Sequence, residues 1–181
     1  MDKAVFLDRD GVINVEKDYV YRISNFVFID GVHSGLLRMQ ELGFRLVVVT
    51  NQAGIGRGYY TDDDFHILTE WMKREFESHG VHLDAVYYCP YHPHFGVGPY
   101  KRDSEDRKPG PGMILRAQRE LKLDLSRSII IGDRLSDMEA GSRAGVHAKV
   151  LVETNGSGDV FRNVDSVFAS AFGTAPVISK V

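Results

Sequence analysis

Side chains that could transfer a phosphate group occur at four separate points of the sequence. The motif DRDG at positions 8–11 supplies the carboxylates of Asp8 and Asp10. Thr50, Lys108 and Asp133 add a hydroxyl, an ammonium and a third carboxylate. Carboxylate oxygens are preferred ligands of Mg²⁺, and Mg²⁺ together with a lysine binds phosphate. These residue types predict metal-assisted phosphoryl transfer, provided that the fold brings them together.

The two aspartates of the DRDG motif suit different tasks. One carboxylate can attack phosphorus and form an aspartyl-phosphate, which water then cleaves. The other can protonate the leaving oxygen and later activate the water. We assign the first task to Asp8 and the second to Asp10. A metal ion and Lys108 would offset the charge of the transferring group.

Strand-like segments precede three of these points. Residues 4–7 are apolar and run into Asp8, residues 45–50 are mostly β-branched and end at Thr50, and residues 128–132 precede Asp133. Ligands of a parallel sheet bind at the carboxyl ends of its strands, so these side chains are expected to gather at one edge. Further strands are expected at 84–88 and 148–152, with a minor strand at 26–29. Helices are expected at 32–42, from Pro111 to about Lys122, and after residue 132 up to Ala144. Another helix should begin at Thr61, which can form a capping box with Asp64.

Alternating strands and helices predict an α/β fold with a doubly wound, Rossmann-like parallel sheet. The 181 residues, of which 43% are hydrophobic and 26% charged, fit a single domain at 1–181. The stretches 10–50 and 50–108 are too short to hold a separate cap domain. We therefore expect an open site that is shaped by short loops.

Composition and charge indicate the cellular compartment of the protein and the kinds of partner it can bind. No apolar run approaches the ~20 residues needed to cross a bilayer, and the N-terminus has no secretion-signal pattern. The single cysteine cannot form an internal disulfide, so we expect a cytoplasmic protein. The net charge of −3 argues against a nucleic-acid or membrane-binding surface, and the lack of an apolar surface stripe predicts a monomer.

The four motifs, D8-x-D10-G11, T50, K108 and G132-D133, resemble those of the haloacid dehalogenase (HAD) superfamily of phosphohydrolases in order and in residue type. The resemblance implies a HAD-type sheet and Mg²⁺ as cofactor. It implies a role for each motif residue: Asp8 as nucleophile and Mg²⁺ ligand, Asp10 as general acid/base and backbone Mg²⁺ ligand, Thr50 and Lys108 as phosphate-binding groups, and Asp133 as a carboxylate Mg²⁺ ligand. The role of Asp137, one helical turn after Asp133, stays open.

Longer strings are similar to the D-glycero-D-manno-heptose-1,7-bisphosphate 7-phosphatase family: DRDGVIN, VVVTNQAGIGRG, YYCPYHP and RKPGPGM. This resemblance implies removal of the C7 phosphate on the way to ADP- or GDP-heptose for lipopolysaccharide or other bacterial surface glycans. The alternatives are a histidinol-phosphate phosphatase and, in another class, a sugar phosphomutase. Substrate-binding residues would be Asn51, Gln52, Arg57, Arg107 and Arg134. Arg134 stands where the family often has lysine, which leaves the anomer preference open.

Two segments beside these motifs carry separate expectations. GIGRG at 54–58 lacks the GxxxxGK[ST] pattern of a phosphate loop and predicts a flexible active-site loop instead. YYCPYHPHFG at 87–96 matches the region where the heptose phosphatase family carries a structural zinc in a C-x-H … C-x-C pattern. Only the first cysteine is kept, as Cys89, because Tyr91, Ser104 and Asp106 occupy the other positions.

Cys89, His92 and His94 could form an improvised site with Asp106, but a closed structural zinc site needs four firm ligands. We therefore expect no zinc. Pro90 and Pro93 would stiffen the loop, and Tyr91, His94 or Tyr100 would pack where the metal lies in the relatives.

Overall fold

Five parallel strands form a single sheet in the computed structural model, which describes residues 1–173. Their order is β3-β2-β1-β4-β5, with bounds β1 (Lys3–Leu7), β2 (Phe44–Asn51), β3 (Ala85–Cys89), β4 (Ile129–Gly132) and β5 (Ala148–Leu151). The first strand is central and pairs in parallel with β2 and with β4. The predicted doubly wound parallel sheet is confirmed.

Helices fill the connections between the strands. They are α1 (Val32–Glu41), α2 (Ala53–Gly56), α3 (Asp62–Ser78), α4 (Gly112–Leu121), α5 (Leu135–Ala144), α6 (Asp159–Arg162) and α7 (Val164–Phe172). The predicted capping box at the start of α3 is confirmed: Thr61 Oγ1 accepts from the amide of Asp64, and Asp64 Oδ2 accepts from the amide of Thr61. These two bonds satisfy amides that a helix start otherwise leaves without partners.

Both faces of the sheet are covered, which explains the uninterrupted apolar runs of the strands. Val5 and Leu7 of β1 point into a core that contains side chains of α1, α3, α6 and α7. Phe6 points the opposite way, into a core formed with α4 and α5. The alternation along β1 therefore fixes its carboxyl end between two packed layers, where Asp8 follows directly.

The expected minor strand at 26–29 is wrong. Only Phe28 forms a bridge, an isolated one with Asn14. The aromatic rings of this segment pack on α3 instead. The ring centroids of Phe26 and Phe28 lie 5.4 and 5.8 Å from that of Trp71, and the centroid of Phe28 lies 5.1 Å from that of Phe76. The alternation that suggested a strand serves this aromatic contact.

The flexible loop expected at 54–58 is wrong for residues 54–56, which belong to α2 and are buried, whereas Arg57 and Gly58 follow that helix. A Cβ atom at Gly54 would lie 2.2 Å from a ring atom of Tyr60, and one at Gly56 would lie 2.3 Å from the carbonyl oxygen of Pro90. These two glycines permit close packing, so they do not indicate mobility.

A folded cap domain is absent from residues 1–173. The connection from β1 to α1 holds a single 3-10 turn, Ile23–Asn25, and the connection from β2 to β3 holds α2 and α3. Among the helices of this part of the chain, none combines the length and the apolar character that crossing a membrane demands.

Candidate active site

The carboxyl ends of β1, β2 and β4 bring the predicted side chains together. Asp8 follows β1, and its amide donates to the carbonyl of Ile131 at 3.1 Å, which continues the strand pairing. Carboxylate oxygens of Asp8, Asp133 and Asp137 all lie within 4.8 Å of one another. A concentration of negative charge therefore forms at this edge of the sheet.

Lys108 is buried beneath these carboxylates. Its Nζ lies 3.0 Å from Asp8 Oδ1 and 2.6 Å from Asp137 Oδ1, and it donates to the carbonyl of Val49 at 2.8 Å. Burial by itself lowers the pKa of the Lys108 ammonium, but the two carboxylates outweigh that effect and raise it above its usual value. Lys108 is therefore a fixed positive charge beside Asp8.

Asn51 fixes the backbone on which Lys108 is placed. Its Nδ2 donates to the carbonyl of Lys108 at 3.0 Å, and its Oδ1 accepts from the amide of Lys108 at 3.0 Å. We expected Asn51 to bind substrate. Its amide group lines the cavity, but both of its polar atoms are engaged in joining the end of β2 to the segment before α4.

The electrostatic environment of Asp8 disfavours its charged form. Burial, with a smaller contribution from the charges of Asp137 and Asp10, raises the pKa of this carboxyl to about 7, although Lys108 opposes them. An additional cation among these carboxylates would favour ionised Asp8, which is the form that can attack phosphorus.

Asp10, two residues after Asp8, is held on both of its carboxylate oxygens. Arg9 Nη2 donates to each of them at 2.9 Å, and Asn14 Nδ2 donates to Oδ1 at 3.0 Å. Gln52 Nε2 donates to Oδ2 at 2.9 Å. Arg9 is itself buried and donates to the carbonyl of Val20. The orientation of Asp10 is therefore set by three side chains rather than by solvent.

Gln52, which we expected to bind substrate, is buried and connects other site residues. Its Nε2 donates to Thr50 Oγ1 at 2.9 Å as well as to Asp10, and its Oε1 accepts from the hydroxyl of Tyr60 at 2.5 Å. Gln52 therefore supports Asp10 and Thr50 from a buried position in the wall of the site. Sequence reasoning missed Arg9 and Tyr60. Arg9 lies inside the DRDG motif, but the position of Tyr60 left no recognisable signal.

Asp133 has an oxygen that suits a cation. Oδ2 accepts from the hydroxyl of Thr154 at 2.6 Å, whereas Oδ1 is buried without a hydrogen-bond partner among residues 1–173. A buried carboxylate oxygen without a partner is costly, and it lies beside the oxygens of Asp8 and Asp137. This donor set fits a divalent cation with oxygen ligands. Asp8 and Asp133 would supply side-chain ligands.

Gly11 keeps this space open. Its φ is +83°, a left-handed conformation that favours glycine, and a Cβ atom there would lie 2.5 Å from Asp133 Oδ2. Position 11 of the DRDG motif therefore requires glycine, because a larger side chain would collide with the carboxylate of Asp133.

Asp137, whose role the sequence left open, contacts two elements of the site. Its Oδ2 accepts from the amide of Arg134 at 3.0 Å at the start of α5, and its Oδ1 contacts Lys108. Gly132 provides the room, because a Cβ atom there would lie 2.3 Å from Cβ of Asp137. Asp137 therefore both orders the helix start and holds the lysine.

A cavity of about 420 Å³ opens above these side chains. Asp8, Asp10, Thr50 and Lys108 form one part of its wall, and its other polar and aromatic lining residues include Glu16, Asp18, Tyr19, Arg57, Tyr60, His92, Arg107 and Arg134. The wall therefore has a carboxylate-rich part and an arginine-rich part.

The arginine-rich part contains Arg57, Arg107 and Arg134, and the carboxylate of Glu16 lies 3.8 Å from Arg134 Nη2. Burial lowers the pKa of the Arg107 guanidinium, and the charges of Arg57 and Arg134 lower it further. Arg57 lies over the ring of Phe95 at 4.5 Å, and its buried Nε has no hydrogen-bond partner within the described part of the chain. Such a group of cations is suited to an anionic ligand.

The loop after β3 borders this arginine-rich part. Cys89 is buried, and burial raises the pKa of its thiol. Tyr91 packs under the guanidinium of Arg102 at 3.8 Å, as expected of a loop packed by its aromatic residues. Of the three alternatives expected for this packing, Tyr91, His94 and Tyr100, His94 is the exposed one.

Known proteins similar to this chain are phosphatases. The model of the HAD-hydrolase-like family matches residues 106–175. The chain is 52% identical over 151 residues to D-glycero-alpha-D-manno-heptose-1,7-bisphosphate 7-phosphatase of Burkholderia mallei, covering 83% of this chain and 80% of that protein. It is 50% identical over 154 residues to D-glycero-beta-D-manno-heptose-1,7-bisphosphate 7-phosphatase of Haemophilus influenzae, covering 85% and 83%.

A similar solved structure is also that of a heptose bisphosphate phosphatase. D,D-heptose 1,7-bisphosphate phosphatase from B. bronchiseptica, crystallised with magnesium and phosphate, matches with a TM-score of 0.74 and 31% sequence identity. The match covers 88% of this chain and 85% of that one. The match therefore extends over most of both chains.

Proposed function

Because this chain belongs to the D-glycero-D-manno-heptose-1,7-bisphosphate 7-phosphatase family of HAD-type hydrolases, we propose that it removes the C7 phosphate of a D-glycero-D-manno-heptose 1,7-bisphosphate. The product would be heptose 1-phosphate, for ADP- or GDP-heptose and bacterial surface glycans. The observation that carries this proposal is the arrangement of Asp8, Lys108 and Asp133 at one end of a cavity whose other part is rich in arginine.

Asp8 is the proposed nucleophile. Its carboxylate attacks the C7 phosphorus while the bond from phosphorus to the C7 oxygen breaks, which leaves an aspartyl-phosphate. The Thr50 hydroxyl and the Lys108 ammonium bind the phosphoryl oxygens, where charge accumulates. The burial of Lys108 means that water does not weaken this interaction.

Asp10 is the proposed general acid and base. It gives a proton to the C7 oxygen as heptose 1-phosphate leaves, and then takes a proton from the water that attacks the aspartyl-phosphate. The bonds from Arg9, Asn14 and Gln52 hold its carboxyl in one orientation for both steps. Phosphate and free Asp8 result.

A Mg²⁺ ion held by Asp8, Asp133 and the backbone carbonyl of Asp10 would neutralise charge on the phosphoryl group. We expect EDTA to lower phosphate release to below about 1% of the untreated rate, and added Mg²⁺ to restore it. Mg²⁺ should also raise the thermal unfolding midpoint of the wild-type protein but not of Asp133→Asn. Full activity after complete removal of divalent cations would contradict the assignment.

The second phosphate of the substrate would lie near Arg57, Arg107 and Arg134. The mutual repulsion of these guanidiniums and the partnerless Nε of Arg57 support a second anionic group in the cavity. A monophosphate such as histidinol phosphate carries no second phosphate to neutralise them. This favours the bisphosphate over the histidinol phosphate alternative.

The experiment that tests the function is a phosphate-release panel. We expect kcat/KM to be highest for one anomer of the heptose 1,7-bisphosphate, with histidinol phosphate and fructose 1,6-bisphosphate at least about tenfold lower. Both anomers belong in the panel because the relatives include an alpha and a beta enzyme. A clear preference for histidinol phosphate would overturn the proposal, and isomerised sugar without free phosphate would indicate a mutase.

We further propose that the chain acts as one domain and as a monomer in the bacterial cytoplasm. The single sheet, with side chains from both halves of the chain at one edge, supports one catalytic unit. The substrate is a small phosphorylated sugar, which the dimensions of the cavity allow.

A further inference from the structure

The loop between Cys89 and Asp106 lacks a donor set that fits the zinc of its relatives. Tyr91 replaces the histidine of the C-x-H pattern, and His92 Nδ1 accepts from the amides of His94 and Phe95 at 3.2 and 3.1 Å. Across residues 1–173, the only metal-binding side chains that converge in threes or more are the three aspartates of the catalytic edge. The side chains of this loop therefore do not fit a closed, four-ligand zinc site.

One carboxylate is bonded to tyrosines on both sides of the loop tip. Tyr88, in β3, donates its hydroxyl to Asp62 Oδ1 at 2.7 Å. Tyr100, in the 3-10 turn Gly98–Tyr100, donates its hydroxyl to Asp62 Oδ2 at 2.7 Å. Asp62 is the first residue of α3, and the capping box at Thr61 fixes that helix start. We call these three residues the tyrosine–carboxylate clamp.

Backbone contacts make the loop compact around the clamp. The amide of His92 donates to the carbonyl of Tyr100 at 3.1 Å, and the amide of Val97 donates to the carbonyl of Gly56 at 2.7 Å. A Cβ atom at Gly96 would lie 2.3 Å from the carbonyl oxygen of Tyr100. The segments before and after the loop tip therefore contact each other, so a shift of Tyr100 would displace His92.

The loop in turn orients cavity groups. His92 lines the cavity directly, and Arg107 Nη1 donates to the carbonyl of Tyr91 at 3.3 Å. Both Tyr91 and His92 lie between the two tyrosines of the clamp in sequence. The position of the Arg107 guanidinium therefore depends on where the clamp holds the loop.

We propose that the tyrosine–carboxylate clamp takes the place of a metal in this loop and sets the positions of His92 and Arg107 for substrate binding. Asp62 is then a positioning residue that acts through the two tyrosines. Hydrogen bonds to an ionised carboxylate are about twice as strong as neutral ones, so two of them can hold a loop of this size. The substrate-binding part of this inference rests on the proposed function.

The test compares Asp62→Ala with Asp63→Ala. Both residues lie in the first turn of α3, so both changes remove the same favourable charge from the helix start, but Asp63 is exposed and outside the clamp. For Asp62→Ala we expect KM for the heptose bisphosphate to rise at least about tenfold while kcat stays within about twofold, because the loss of two charge-assisted bonds frees the loop but leaves Asp8 and Lys108 in place. Asp63→Ala should match the wild type.

Trypsin gives a readout that does not depend on turnover. Lys101 and Arg102 are exposed and follow Tyr100 directly. Cleavage after them should be at least about tenfold faster in Asp62→Ala, because cleavage needs local opening of the loop that the clamp opposes. Tyr100→Phe, which removes one bond of the clamp, should fall between the wild type and Asp62→Ala. It also replaces Asp62→Ala in both assays if that variant does not fold.

Metal analysis completes the test. Wild-type protein purified without chelators should contain no zinc, and a zinc chelator in excess Mg²⁺ should change neither KM nor the cleavage rate. Stoichiometric zinc would overturn the proposal, as would wild-type KM and wild-type cleavage in Asp62→Ala and Tyr100→Phe. If the wild type does not hydrolyse the heptose bisphosphate, the proposed function fails, whereas cleavage and zinc content still decide whether the clamp holds the loop.

Discussion

Asp8→Asn is expected to lower phosphate release by at least about 10³-fold, because an amide cannot form the acyl phosphate on which the proposed route depends. The change conserves shape. The amide oxygen can still accept from the amide of Arg9 and from Lys108, both of which contact Asp8 Oδ1. It also removes a buried negative charge that lies close to Asp10 and Asp137. The folded structure should therefore persist while turnover is lost.

The measurement for Asp8→Asn is phosphate release under saturating substrate and Mg²⁺, together with circular dichroism and the thermal unfolding midpoint. Asp2→Asn is a suitable control, since Asp2 lies just before β1, at the opposite end from Asp8, and is exposed. It should retain wild-type activity. A folded Asp8→Asn protein with more than a few per cent of wild-type activity would show that Asp8 is not the nucleophile.

Lys108→Met is expected to damage both stability and catalysis. Lys108 is the cation between Asp8 and Asp137, and all three side chains are buried. Removing one partner of a buried charge group typically costs about 3–5 kcal/mol of unfolding free energy, because the remaining charges stay without compensation. Phosphate release should fall at least about 10²-fold, since a charge that binds the transferring group is lost.

A second variant shows whether Lys108→Met is unstable because of uncompensated charge or because packing is lost. In the double variant Lys108→Met/Asp137→Asn one of the uncompensated carboxylates is removed, so we expect it to be more stable than Lys108→Met alone. Urea unfolding without Mg²⁺ measures both, and Lys101→Met, at an exposed position, is the control. Equal stability of the single and double variants would mean that charge is not the reason for the loss.

The sheet and the positions of the motif residues could be predicted because both depend on local patterns. An apolar run that ends in acids, such as the one before Asp8, shows in a few consecutive residues where a buried strand ends. The same is true of the capping box at Thr61, whose two bonds span three residues. These features need no knowledge of the rest of the chain.

The supporting contacts could not be predicted because they join distant segments. The sequence left the role of Asp137 open, and its contact with Lys108 appears only once α4 and α5 are placed. Gln52 was expected to bind substrate, and its contacts with the hydroxyl of Tyr60 and the carboxylate of Asp10 could not be seen in the sequence. The glycines at 54 and 56 suggested mobility because the sequence does not show which neighbour would meet a Cβ atom.

The central position of β1 has a consequence for synthesis on the ribosome. The amide of Ala4 donates to the hydroxyl of Ser128, 124 residues further along the chain, and β1 pairs with β4 along the same edge. A nascent chain that has exposed only β1, β2 and β3 thus keeps one side of its innermost strand uncovered until β4 emerges. Contacts of such long sequence separation form late, because a long loop must close first. Hydrolytic activity in a translation reaction would therefore report that β4 has joined the sheet, and a chain halted before β4 would be a natural substrate for chaperones.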